Sequence, residues 1–130
     1  MAHDRRRILI ADDDSEIRLG AAELLDSLGY ILQAGDGEEA LEVVRGSQDP
    51  FHLALLDLQM PRRGGYEVFG VLREEYPDLP CILWSGDATE DLASNMVRAG
   101  AMAFLHKPVP PEELRGQVRR VLTERWGDPL

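Results

Sequence analysis

The sequence predicts a doubly wound α/β domain, one parallel sheet with helices on both of its faces. Three observations carry that expectation. Short apolar runs alternate with stretches of helical periodicity from end to end, five of each. Glycines and prolines punctuate nearly every change of pattern. The 130 residues suit one domain with a core of its own, so neither a disulfide nor a structural metal is needed to hold it.

Each element can be justified in order. Ile8-Leu9-Ile10-Ala11 reads as a buried first strand. Asp14 caps a helix with Ile17, Ala21, Leu24, Leu25 and Leu28 on one face, stopped by Gly29. Tyr30 to Ala34 is a second strand. Asp36 followed by Glu39 resembles a capping box for a short helix carrying Ala40, Leu41 and Val44 and closed by Gly46. Phe51 to Leu56 is a third strand ending at Asp57. Gly64-Gly65 breaks the chain before a helix with Val68, Phe69, Val71 and Leu72 that runs to about Tyr76. Pro77 and Pro80 bound a loop, and Cys81 to Trp84 is a fourth strand. Asp87 or Thr89 starts a helix with Leu92 and Met96, ended by Gly100. Ala103-Phe104-Leu105 is a fifth strand. After Pro110-Pro111, Leu114, Val118, Val121 and Leu122 mark a last helix, ended by Gly127 and Pro129.

Composition excludes several classes. The formal net charge of −10 repels nucleic-acid phosphate, so no direct nucleic-acid binding is expected. Arginines near both ends lack aromatic interleaving and read as solvated charge. The one cysteine, Cys81, permits no internal disulfide, in keeping with a reducing compartment. No secretion signal and no membrane-length apolar stretch is legible, so the expected location is cytoplasmic, away from membranes. One detail is sharper. Of 14 basic residues, all are arginine except Lys107. A lone lysine points to a site that needs a compact ammonium and not a guanidinium.

In an open parallel sheet, ligands bind at the carboxyl ends of the strands. Those ends deliver Asp12 and Asp13 from the first strand, Asp57 from the third, Ser85 from the fourth and Lys107 from the fifth. Three carboxylates together raise one another's pKa unless a cation neutralises them. Oxygen ligands with room for water suit Mg²⁺, and the lack of histidine or cysteine among them argues against zinc. Three aspartates balanced by Mg²⁺ and Lys107 leave a site near neutrality, which can admit an anionic phosphoryl group.

These residues fall into runs: Ile8-Leu9-Ile10-Ala11-Asp12-Asp13-Asp14; Leu55-Leu56-Asp57-Leu58-Gln59-Met60-Pro61 with Gly65; Ser85-Gly86; and Lys107-Pro108. In that order and spacing they resemble the receiver domain of two-component response regulators. The resemblance covers about residues 7 to 125 and implies one receiver domain over 1–130, with the flavodoxin-like strand order 2-1-3-4-5. It implies that Asp57 accepts the phosphoryl group. Mg²⁺ would be held by Asp12, Asp13, Asp57 and the backbone carbonyl of Gln59, with Asp13 the more direct of the acidic pair. Lys107 would pair with the acceptor and then with phosphoryl oxygens. Ser85 would swing toward the phosphoryl group, and Phe104 would report the switch. The implied partners are a histidine kinase or histidine phosphotransfer protein and a downstream effector protein or domain. A phosphorylation-linked homodimer is compatible with this.

Some positions depart from the family's usual pattern. Gly64-Gly65 stands where Asp-Gly is common, which would loosen the loop after the acceptor. Ser85 replaces a common threonine, Phe104 has no hydroxyl, and Trp84 is bulky for its place. Among rivals, a phosphatase of the haloacid-dehalogenase kind needs a second aspartate two residues after the nucleophile, where this chain has Gln59. A flavodoxin needs a phosphate loop after the first strand, which is missing here. A phosphate-independent interaction domain of receiver shape would usually lose the acidic residues. The expected role is therefore regulatory and not enzymatic. His3, His52 and His106 receive no role. Strand alternation should turn His106 away from Lys107. Arg62 and Arg63 read as solvated loop charge.

Overall fold

The computed structural model describes residues 5–87 and 89–127. Its elements follow in the expected alternation: β1 (Arg7–Ala11), α1 (Ser15–Leu25), β2 (Tyr30–Ala34), α2 (Gly37–Gly46), β3 (Leu53–Asp57), α3 (Gly65–Glu75), β4 (Cys81–Ser85), α4 (Glu90–Arg98), β5 (Ala103–His106) and α5 (Pro111–Trp126). All strand pairs are parallel, in the order β2-β1-β3-β4-β5. The expected flavodoxin-like order is therefore the one observed.

Strand alternation sorts the core into two layers, because successive side chains leave opposite faces. Leu9, Ala11, Ala54, Leu56 and Leu83 pack with Val68, Phe69 and Leu72 of α3 and Met96 of α4. Ile8, Ile10, Leu53, Leu55, Ile82, Trp84 and Leu105 pack with Leu25 of α1 and Val118, Val121 and Leu122 of α5. The central strand β3 is buried along its whole length, whereas the edge strands β2 and β5 are only partly covered. Cys81 lies inside the first layer, where burial pushes its thiol up to about 12. It is a core residue with little thiolate at neutral pH.

The caps act much as the sequence suggests. Asp14 accepts from the backbone N–H groups of Glu16 and Ile17. Asp36 accepts from Glu39 N–H, and Glu39 answers by accepting from Gly35 N–H, one residue before the cap. Thr89, not Asp87, caps α4. The helix after β1 stops as an α-helix at Leu25, and a 3₁₀ turn over Asp26–Leu28 fills the gap to Gly29. Phe51 and His52 precede β3 and are not part of it. His52 N–H instead donates to the Arg7 carbonyl, and Arg7 N–H donates to His52 Nδ1. Pro129 and His3 lie outside the described residues. Among the described residues, no helix is long and apolar enough to cross a membrane.

Candidate functional site

The carboxyl ends of β1 and β3 lie side by side because these strands pair Ala11 with Leu56. One residue further on, Asp12 and Asp57 face each other across the sheet top. Asp12 is fully buried and Asp57 nearly so, while Asp13 is exposed at the rim. Carboxylate oxygens of all three lie within 4.8 Å of one another. This is a donor set of hard oxygens, two carboxylates buried and one exposed, and it fits a small divalent cation.

Lys107 reaches the same place from the end of β5, where its N–H extends the ladder by donating to the Ser85 carbonyl. Its ammonium donates to Asp12 Oδ2 at 2.7 Å and lies 3.3 Å from Asp57 Oδ2. The shorter bond is to Asp12, so in this state the lysine leans toward the acidic pair more than toward Asp57. The peptide bond that follows it, to Pro108, is cis.

Asp57 is poised electrostatically. Burial pushes its carboxyl up to about 6, and the Asp12 charge adds to the rise. The backbone N–H of Gln59, which donates to Asp57 Oδ1 at 3.1 Å, and the Lys107 charge both act the other way. Among the described residues, three carboxylates meet Lys107 as the only cation in contact, so negative charge is in excess, which is the condition that invites a further positive ion.

Ser85 ends β4 and is buried; its hydroxyl accepts from Asp87 N–H at 3.3 Å. Gln59 turns its side chain to Asp87, donating from Nε2 to Oδ2 at 3.3 Å, and so links the loops after β3 and β4. Phe104 is half-buried at the margin of the α2–α4 layer, its ring centroid 5.3 Å from that of His106. His106 thus points away from Lys107, as alternation requires, and shares a face with Phe104.

Two contacts escaped the sequence reading. Arg62 and Arg63 are engaged: Arg62 pairs with Asp36 at 3.1 Å, and Arg63 pairs with Glu38 and, at 3.8 Å, with Glu67. Hydrogen bonds from Glu39 N–H and from Arg62 hold the Asp36 carboxyl below its ordinary range. Arg62 takes a left-handed backbone, φ 67°, to make this clasp. The pairs tie the loop after β3 to the start of α2, where Gly64 gives α3 no side-chain cap. The second contact is beneath the lysine. Trp84 does not crowd Ser85, because the two face opposite sides of β4, and its ring lies 4.9 Å from the Lys107 ammonium. Trp84 and Lys107 also line an open groove of roughly 570 Å³ between α1 and the segment leading into α5, with Ile17, Ala21, Pro108 and Leu114. Apart from the i,i+4 pair Arg63–Glu67, these contacts join residues far apart along the chain, so no local signal in the sequence marks them.

Comparison with known proteins gives the family and the fold. Residues 8–119 match the family model described as the response regulator receiver domain. The chain is 36% identical over 121 residues to a probable transcriptional regulator, ycf27, of Porphyridium aerugineum, covering 91% of this chain and 48% of that protein. The chain therefore spans about half the length of that relative. A CheY-like response regulator receiver domain protein from Methanospirillum hungatei JF-1 superposes with a TM-score of 0.84 at 30% identity, over 93% of this chain and 96% of that one. A chain of the CheX–CheY–BeF3–Mg²⁺ complex from Borrelia burgdorferi superposes with a TM-score of 0.83 at 25% identity, over 89% and 88%.

Proposed function

The chain belongs to the response regulator receiver family of two-component signalling, and from that premise we propose that it is a Mg²⁺-assisted phosphoacceptor switch with Asp57 as the acceptor. One observation carries the reading. Asp57 ends the central strand almost wholly buried, yet two other carboxylates and the chain's single lysine converge on it. Burying that much charge at one point has a structural cost, which a site for cation and phosphoryl group explains.

Asp12, Asp13, Asp57 and the Gln59 carbonyl would hold the ion. When bound, Mg²⁺ supplies positive charge to oxygens of the transferring group. The rest of the chemistry falls to the chain. A carboxylate oxygen of Asp57 forms a bond to phosphorus while the phosphorus–nitrogen bond of a donor phosphohistidine breaks, its electron pair passing to the imidazole. Lys107 shifts from Asp12 toward the phosphoryl oxygens and stabilises their charge. The Gln59 N–H keeps the acceptor oriented. Ser85 then turns its hydroxyl from Asp87 toward the phosphoryl group, and Phe104 follows it inward. The surface of α4, β5 and α5 changes in consequence and is read by an effector. The donor is a histidine kinase or phosphotransfer protein, and the setting is cytoplasmic. Hydrolysis of the acyl phosphate resets the switch.

The test uses acetyl phosphate as a small donor. With Mg²⁺ the chain gains one phosphoryl mass, labile to base and hydroxylamine, and excess chelator abolishes the gain. Asp57→Asn removes it as well. Modification that persists in Asp57→Asn, or uptake unaffected by chelator, would overturn the reading.

A further inference from the structure

Consecutive residues at the end of β4 look in opposite directions. Ser85 faces the α2–α4 side, and Trp84 faces the α1–α5 side, opposite Leu105 of β5. Lys107, two residues past Leu105, rises over that same face. Its ammonium therefore meets three things at once: Asp12 Oδ2 at 2.7 Å, Asp57 Oδ2 at 3.3 Å, and the Trp84 ring, whose centroid is 4.9 Å away. An ammonium has three N–H donors and is strongly hydrated. Here two directions are taken by carboxylates, and the indole covers another in place of water; the lysine side chain is only 14% exposed.

The indole itself is an awkward choice for packing alone. Trp84 is 3% exposed, and its Nε1–H is buried with no hydrogen-bond partner. Leucine or phenylalanine would fill a core position without leaving a donor unpaired, which costs about 1–3 kcal/mol. What tryptophan adds is the most electron-rich ring face among side chains, and that face is where the cation lies.

We propose that Trp84 is a positioning residue for Lys107: its ring face holds the ammonium between Asp12 and Asp57. The attraction of a ring face is broad, so the ammonium keeps it while sliding from Asp12 toward a group on Asp57. A third carboxylate or hydroxyl in the same place would pin it by a directional bond. This deepens the phosphoacceptor reading and rests on it for its purpose, though not for the contact itself.

Lys107 is the only lysine, so lysine labelled at Cε gives a single side-chain NMR signal. In the metal-free, phosphate-free protein that signal should lie upfield of its position in the denatured chain, because of the ring current. Trp84→Leu should return it, and Trp126→Phe should leave it unmoved. A wild-type signal at the denatured position would overturn the contact. Purpose is tested by fluorinated tryptophans in Trp126→Phe, which keep the shape of the ring and drain its face. Affinity for beryllofluoride with Mg²⁺ should fall stepwise with each fluorine, by about fivefold over the series. Equal affinity across the series would overturn the positioning role. Should the unsubstituted protein bind no beryllofluoride at all, the phosphoacceptor reading fails and the positioning role fails with it, while the lysine signal still decides the contact.

Discussion

Gly65 lies against the backbone carbonyl of Asp57 so closely that a Cβ added at Gly65 would overlap the carbonyl oxygen and sit 2.9 Å from Leu58 Cα. Gly65 also donates its N–H to the Leu58 carbonyl at 3.1 Å, so the start of α3 is fastened onto the end of β3. The neighbour is backbone, which cannot step aside as a flexible side chain would.

Gly65→Ala should therefore destabilise the protein by ~2–3 kcal/mol and displace Asp57. Gly70, exposed on the same helix with nothing within 4 Å of a new Cβ, is the matched control. Gly70→Ala should stabilise by about 0.5–1 kcal/mol through helix propensity. Urea denaturation of both variants checks this; equal effects of the same sign would refute the close approach.

Asp57 should make metal-free stability depend on pH. Its carboxyl is pushed up from 3.8 in the reference state to about 6 in the fold. The folded chain then binds the proton more tightly than the unfolded chain. The stability this confers is complete below about pH 4 and is lost as pH rises through about 6. Asp57→Asn removes the titration. It keeps an oxygen for the Gln59 N–H, and Lys107 retains Asp12. In chelator, the stability of the variant relative to the parent should rise by about 1–2 kcal/mol between pH 4 and pH 7, below the full shift because the mouth of the site is wet. A constant difference across that range would contradict the shift.

Lys107→Arg should impair the site although the charge is kept. The ammonium fits a gap bounded by two carboxylates and an indole. A planar guanidinium is larger and prefers a forked partner. Acetyl phosphate uptake should slow by about tenfold or more, the size expected when a charged group is misplaced. Uptake at the parent rate would refute the fit.

The two tryptophans should report differently. Trp84 touches Lys107, whereas Trp126 stacks edge-on against His52 and donates to its carbonyl at 2.8 Å, at the other end of the strands. Mg²⁺ should change the fluorescence of Trp126→Phe and leave that of Trp84→Phe nearly unchanged. The reverse pattern would contradict the placement of Trp84.

Much of this architecture was legible in the residues because it is periodic. Tyr30–Ala34 and Ala103–Leu105 stand where their apolar runs place them, and Asp12, Asp57, Ser85 and Lys107 stand at or just past strand ends in a fold that gathers strand ends. What the sequence could not show was pairing between distant segments. Arg62 and Arg63 look like free loop charge until α2 brings Asp36 and Glu38 beside them. Phe51 and His52 are as apolar and aromatic as a strand start, yet His52 spends its ring nitrogen on Arg7 N–H. Trp84 could be assigned a face by alternation, but only the register of β4 with β5 puts Lys107 above it.

The strand order also divides the site by how easily its parts open. Asp12 follows β1 and Asp57 ends β3, interior strands bonded on both sides, whereas Phe104 lies in β5, an edge strand bonded on one side, and Lys107 just beyond it. Edge strands fray at lower free energy than interior ones. Amide hydrogens of Leu55 and Leu56 should then exchange at rates set by global unfolding, and those of Phe104 and Leu105 by smaller openings. The cationic half of the site can be released and recaptured while the acidic half stays folded, so Lys107 and the Phe104 face can move without the sheet being rebuilt.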